Sequence, residues 1–94
     1  MAHVLAHHKV SSYESWKKVF DEFAETRKAS GELSYQILKQ EKDSDDLYLM
    51  FEWDGADKAK AFMESPQLKE AMQKGGVTEA PEIHFLSEVA KGAL

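Results

Sequence analysis

The chain has 94 residues, 12 basic against 17 acidic side chains for a formal charge of −5, and 43% hydrophobic residues. That describes a single globular domain with a modest core, and the negative balance excludes a basic face for gripping nucleic acid. There is no cysteine, which excludes disulfides, Cys-ligated metal centres and thiol catalysis.

No apolar run approaches the ~18–20 residues that a membrane span needs. No charged-then-apolar leader pattern opens the sequence, so cytoplasmic residence is the default expectation. Residues 1–90 are expected to form one domain, and residues 91–94 a frayed tail. Within the domain, His3 to Val10 is short, apolar and histidine-bearing, and reads as a strand. Ser11 with Glu14 fits a capping box, so a helix is predicted to begin there. Its apolar stripe is Trp16, Val19, Phe20, Phe23 and Arg27, and Gly31 supplies its left-handed end. Ser34 to Gln40 reads as a second strand and the acidic stretch Glu41–Asp46 as a turn-rich loop. Leu47 to Phe51 is apolar at every position, as expected of a strand covered on both faces. Asp54 is the expected cap of the next helix, which runs to about Glu64. Ser65-Pro66 restarts a helical piece over Gln67–Lys74 that ends at Gly75-Gly76. Glu82 to Val89 reads as the last strand.

The order strand, helix, strand, strand, helix, strand is the ferredoxin-like α+β pattern: a four-stranded antiparallel sheet with the helices on one face. Strands one and three are then central. Helices cover only one face, yet the central strands are apolar on both. A second copy packing sheet to sheet resolves the mismatch, and a homodimer is expected.

Three stretches fit a known family. They are His3–Val10 followed by Tyr13 and Trp16; Leu49-Met50-Phe51-Glu52-Trp53-Asp54 leading to Ala59, Phe62 and Ser65-Pro66; and the closing strand after Pro81. In these the chain resembles the dimeric α/β-barrel superfamily, in its antibiotic-biosynthesis-monooxygenase-like branch. The resemblance implies a homodimeric barrel with a pocket in each subunit between sheet and helices. Such relatives include cofactor-free monooxygenases of polyketide quinols, haem-degrading enzymes, lactone isomerases and proteins with no known activity. Asparagine is absent here, and Phe62 stands where the haem-degrading branch often has a histidine, so that branch's triad is not assembled. The quinol-oxidising branch also uses asparagine; only its aromatic part is available here.

Histidine is the natural base near neutral pH. His8 shares a strand face with Val4, Ala6 and Val10, whereas His7 shares the opposite face with His3 and Leu5. His8 is therefore the expected base in the helix-side pocket. His84, on the neighbouring last strand, is the second candidate. Trp16, Phe20, Tyr35 and Trp53 are the expected pocket walls. Arg27 reads either as a partner for a substrate carboxylate or as a solvated cation near a helix end. No metal or cofactor site is expected, because neither the acidic stretch nor Gly75-Gly76 has ligand spacing. Two functions fit: a small-molecule-binding barrel with cofactor-independent monooxygenase or isomerase activity, or a non-enzymatic ligand-sensing or accessory dimer with a filled core. Nucleic acid and membrane are not expected partners.

Overall fold

In a computed structural model, which describes residues 2–94, the chain forms β1 (Ala2–Lys9), α1 (Tyr13–Glu22), α2 (Ala24–Ser30), β2 (Glu32–Gln40), β3 (Asp43–Trp53), α3 (Ala56–Met63), α4 (Pro66–Lys74) and β4 (Glu82–Leu86). The strands make one sheet of order β2-β3-β1-β4, antiparallel throughout. The two apolar strands, β1 and β3, are the central pair, as the ferredoxin-like pattern predicts. Val4, Ala6, Leu47, Leu49, Phe51 and Trp53 bury one face of that pair against Trp16, Phe20, Ala59 and Phe62 of the helices. Burying four side chains the size of Trp53, Leu47, Leu49 and Val4 almost completely stabilises the fold by roughly 1.5–3 kcal/mol each.

Several local expectations are corrected. The acidic stretch is not a loop: the turn is confined to Glu41 and Lys42, and β3 begins at Asp43. Two of its carboxylates are held by partners within the chain. Asp45 accepts a hydrogen bond from the Tyr13 backbone N–H at 2.9 Å, and Asp46 meets His7 Nε2 at 2.6 Å. Asp45 thereby does the work expected of the Ser11–Glu14 capping box, since the N-cap residue is Ser12 and its hydroxyl caps nothing. Asp54 likewise caps nothing; it pairs with Lys58 at 2.8 Å, and Gly55 is the N-cap of α3. Ser65 does cap α4, its hydroxyl accepting from the Leu68 N–H at 3.2 Å. β4 ends at Leu86, short of the expected Val89.

The single long helix expected after Ser11 is broken at Phe23, with φ −88° and ψ 0°. The Arg27 guanidinium reaches back to the break and donates from Nη1 to the Phe20 carbonyl. A side-chain donor thus serves a carbonyl near the end of the first helix. Gly31 ends α2 in the left-handed region at φ +119°, as its place in the sequence predicts. Gly76 is also left-handed at φ +78°, and a Cβ there would meet Ser11 Oγ, so only glycine suits this join between α4 and the end of β1.

One irregularity in β2 positions a functional group. The β2–β3 register shifts between Glu32 and Ser34. In a regular strand Glu32 and Ser34 would share the open face. With Leu33 as the extra residue, Glu32 pairs with Trp53 and turns to the helix side. It meets Arg27 there.

Candidate active site

A cavity of about 80 Å³ lies between the sheet and the helices. Ala6 and His8 of β1, Leu49 and Phe51 of β3 and Ile83 of β4 form its floor. Trp16, Val19 and Phe20 of α1 form its roof, with Phe23 and Arg27 at the α1–α2 break. Met63, Leu68, Ala71 and Met72 close it from α3 and α4. No residue of α4 is buried. This wall is held by few apolar contacts, and its methionines are flexible and adaptable.

Two buried polar heads line this apolar space. His8 is 8% exposed and Arg27 4%. His8 lies on the helix face because it alternates with Val4 and Ala6 along β1. Its ring meets Trp16 edge-on at 5.6 Å. Its Nε2 is buried with no hydrogen-bond partner among the described residues. Burial, followed by the charge of neighbouring His7, lowers its pKa to about 4. At neutral pH His8 is therefore an uncharged imidazole with an unused ring nitrogen.

Arg27 is neither solvated nor free, which corrects one of the two expectations for it. Its Nε donates to both carboxylate oxygens of Glu32, at 3.1 and 3.0 Å. Its guanidinium carbon lies 3.6 Å from the centre of the Phe20 ring. Burial pushes the Glu32 carboxyl above its ordinary range, against the opposing pull of Arg27.

The remaining predicted site residues divide. Trp16 and Phe20 line the cavity. Tyr35 lies outside it, 47% exposed and edge-on to the outer side of Phe20 at 4.9 Å. Trp53 is buried against Phe62 at 5.1 Å, away from the cavity, with its indole N–H unpartnered. His84 is opposite Leu5 in the β1–β4 ladder, so it faces away from the helices. Its side chain is 57% exposed, and its Nε2 is 3.9 Å from Glu82. The structure therefore brings His84 near His7, which is 4.0 Å from the same carboxylate oxygen, and separates it from His8. Sequence reasoning missed Glu32, Met63 and Met72. The signal available for Glu32 was an arginine on an apolar helix stripe followed five residues later by an acid.

The antibiotic biosynthesis monooxygenase family model matches residues 12–74, which carry all four helices together with β2 and β3. The chain belongs to that family. Solved structures agree on the fold. A candidate antibiotic biosynthesis monooxygenase from Caulobacter crescentus is 24% identical with a TM-score of 0.73, the match covering 95% of this chain and 90% of that one. One from Bordetella bronchiseptica is 14% identical with a TM-score of 0.77, covering 95% and 97%. An asparagine-to-alanine variant of SnoaB, a cofactor-independent oxygenase from Streptomyces nogalater, is 12% identical with a TM-score of 0.74, covering 96% and 94%. A comparison with curated protein sequences finds no significant match. No helix among the described residues is long and apolar enough to cross a membrane.

Proposed function

We propose that this chain is a cofactor-independent, monooxygenase-like enzyme that takes a small single-ring carbon acid into the cavity, with His8 as its base. One observation carries this reading: an uncharged, unpartnered imidazole nitrogen is buried at the wall of an apolar cavity. A buried polar group without a partner costs roughly 1–3 kcal/mol, and a ligand that supplies the partner recovers it. The cavity of about 80 Å³ is well below the ~300–1,000 Å³ of sites for larger ligands. That limits the occupant to one small ring, admitted by movement of Met63 and Met72.

A β-dicarbonyl or a dihydroquinone suits this chemistry. In the Nδ1–H tautomer, His8 Nε2 accepts a proton from the activated methylene of the β-dicarbonyl or from a hydroxyl of the dihydroquinone. The resulting anion is electron-rich enough to reduce dioxygen. For a methylene carbon, one oxygen atom becomes the new carbonyl and the other leaves as water. Both methylene hydrogens end in that water, and all four electrons come from the substrate carbon, so no external reductant is needed. Burial makes the protonated His8 a strong acid, which favours passing its proton to the departing oxygen.

Oxygen consumption with a panel of single-ring β-dicarbonyls and dihydroquinones tests the proposal. The expected result is turnover of at least one, with the ketone as product of a dicarbonyl or the hydroxyquinone as product of a dihydroquinone, and a loss of about 10²–10⁴-fold in His8→Phe. Equal turnover in His8→Phe would overturn the role of His8. Absence of oxygen uptake across the panel would favour the second reading, an accessory or sensing dimer with a filled core, which the small cavity volume supports.

We infer further that two copies pack sheet to sheet. The face away from the helices carries Leu5, Leu38, Tyr48, Met50 and Leu86. Leu38 and Leu86 are exposed on it, where nothing among the described residues covers them. Sedimentation at micromolar concentration is expected to give twice the chain mass; a monomer there would contradict the packing.

A further inference from the structure

We propose that the cavity holds its ligand as an anion on Arg27, and that Glu32 takes up a proton as the anion binds. This rests on the cavity being a substrate site and defines the substrate class: a single apolar ring bearing an ionised oxygen, phenolate or carboxylate, beside the proton that His8 removes.

Apart from the Trp16 indole, only His8 and Arg27 bring polar groups to the lining. A guanidinium stays charged at every accessible pH. In Arg27, Nε is taken by Glu32 and Nη1 by the Phe20 carbonyl. Nη2 has no hydrogen-bond acceptor among the described residues, which leaves that nitrogen's two N–H groups for a ligand. His8 is a second, independent pointer to the same ligand space, since it lines the cavity at 8% exposure and its Nε2 has no partner among the described residues. A cationic donor at one point and a neutral base at another suit a ring whose oxygen is held while a neighbouring proton is removed.

Glu32 gives this arrangement its pH dependence. Its carboxylate lies 3.0 Å from the same guanidinium. A bound anion would place two negative charges on one buried cation. Protonating one of them relieves the repulsion, and the group already pushed toward its neutral form is Glu32. Arg27 lines both the cavity and an outer groove, and Glu32 lines that groove, so solvent can supply the proton from outside. The charged and titratable groups around Glu32 are Arg27 and Lys28 of α2, Tyr35 of β2, Asp54 before α3 and Lys58 of α3. Lys58 and Asp54 neutralise each other at 2.8 Å. In the cavity itself the competing proton acceptor is His8.

Benzoate and its neutral isostere benzamide are the probes. Calorimetry is done at about pH 6 and about pH 8, in two buffers of different ionisation enthalpy, so that bound protons are counted. The expected result is benzoate at least about tenfold tighter than benzamide, the size of one charge-assisted hydrogen bond. Its binding should strengthen toward the lower pH with net proton uptake. Glu32→Gln should abolish the uptake and keep the preference, and His8→Phe should keep the uptake. Arg27→Gln combined with Glu32→Gln preserves shape and neutrality, and should lose the preference. Equal binding of the two probes, or uptake that persists in Glu32→Gln, would overturn the proposal while leaving the cavity a ligand site. Failure of both probes to bind would overturn the proposal and the cavity's role together.

Discussion

Arg27→Met is expected to destabilise the fold by about 3–5 kcal/mol, the range for breaking a buried ion pair. The substitution leaves the Glu32 side chain, only 7% exposed beside the bulge, without its cation. It also removes the donor from the Phe20 carbonyl and the cation from the Phe20 ring. Chemical denaturation measures the loss. The double variant Arg27→Met with Glu32→Met should recover most of it, because two packed apolar side chains replace a pair whose charges are costly to bury. The single variant should also lose stability as pH rises. Without Arg27, Glu32 is raised further, and a raised carboxylate costs stability once it must ionise. A single-variant loss below about 1 kcal/mol would show that the pair is not the structural link between α2 and β2 described above.

The second large effect is a pH dependence that belongs to His8. Its folded pKa of about 4 lies below the ordinary 6.5. Between those values the unfolded chain binds a proton that the native imidazole refuses. Stability therefore rises with pH across this window and is lost as pH falls from about 6.5 to about 4, by about 3 kcal/mol in total. His8→Phe removes the group and keeps an aromatic ring in its place. Denaturation curves at pH 4.5 and 7 should show the variant gaining relative to the parent at the lower pH by up to that amount. Equal slopes in the two proteins would mean that His8 titrates normally and is not desolvated. The same substitution is expected to lower turnover by about 10²–10⁴-fold, so stability and activity should move in opposite directions at low pH. A role in packing alone would not produce that combination.

Much of this arrangement was legible in the residues. The unbroken Leu47–Phe51 run placed β3 at the centre, and alternation along β1 separated His8 from His7, because both are consequences of a two-residue period. Trp16 and Phe20 followed from helical spacing. The rest depended on contacts far apart in sequence. Acidity made Asp43–Asp46 look like a loop, yet these residues extend the strand because Tyr13 N–H and His7 satisfy two of their carboxylates. Arg27 looked like a solvated helix end because nothing local reveals the bulge at Leu33 that turns Glu32 toward it. His84 is the second candidate base because its strand neighbours β1; one residue of register puts it opposite Leu5, on the face away from the cavity. Tyr35 and Trp53 were assigned to the pocket by strand position, while the actual boundary is drawn by the Phe20 and Phe62 rings lying between them and the cavity.

The most direct test of the central claim is a nitrogen-15 NMR titration of His8 in the intact protein, alone and with 1,3-cyclohexanedione, a single-ring β-dicarbonyl. The account predicts an imidazole that stays neutral until about pH 4 and an Nε2 resonance that shifts saturably as the dione is added. An imidazole titrating near 6.5, or an Nε2 resonance indifferent to the dione, would contradict it.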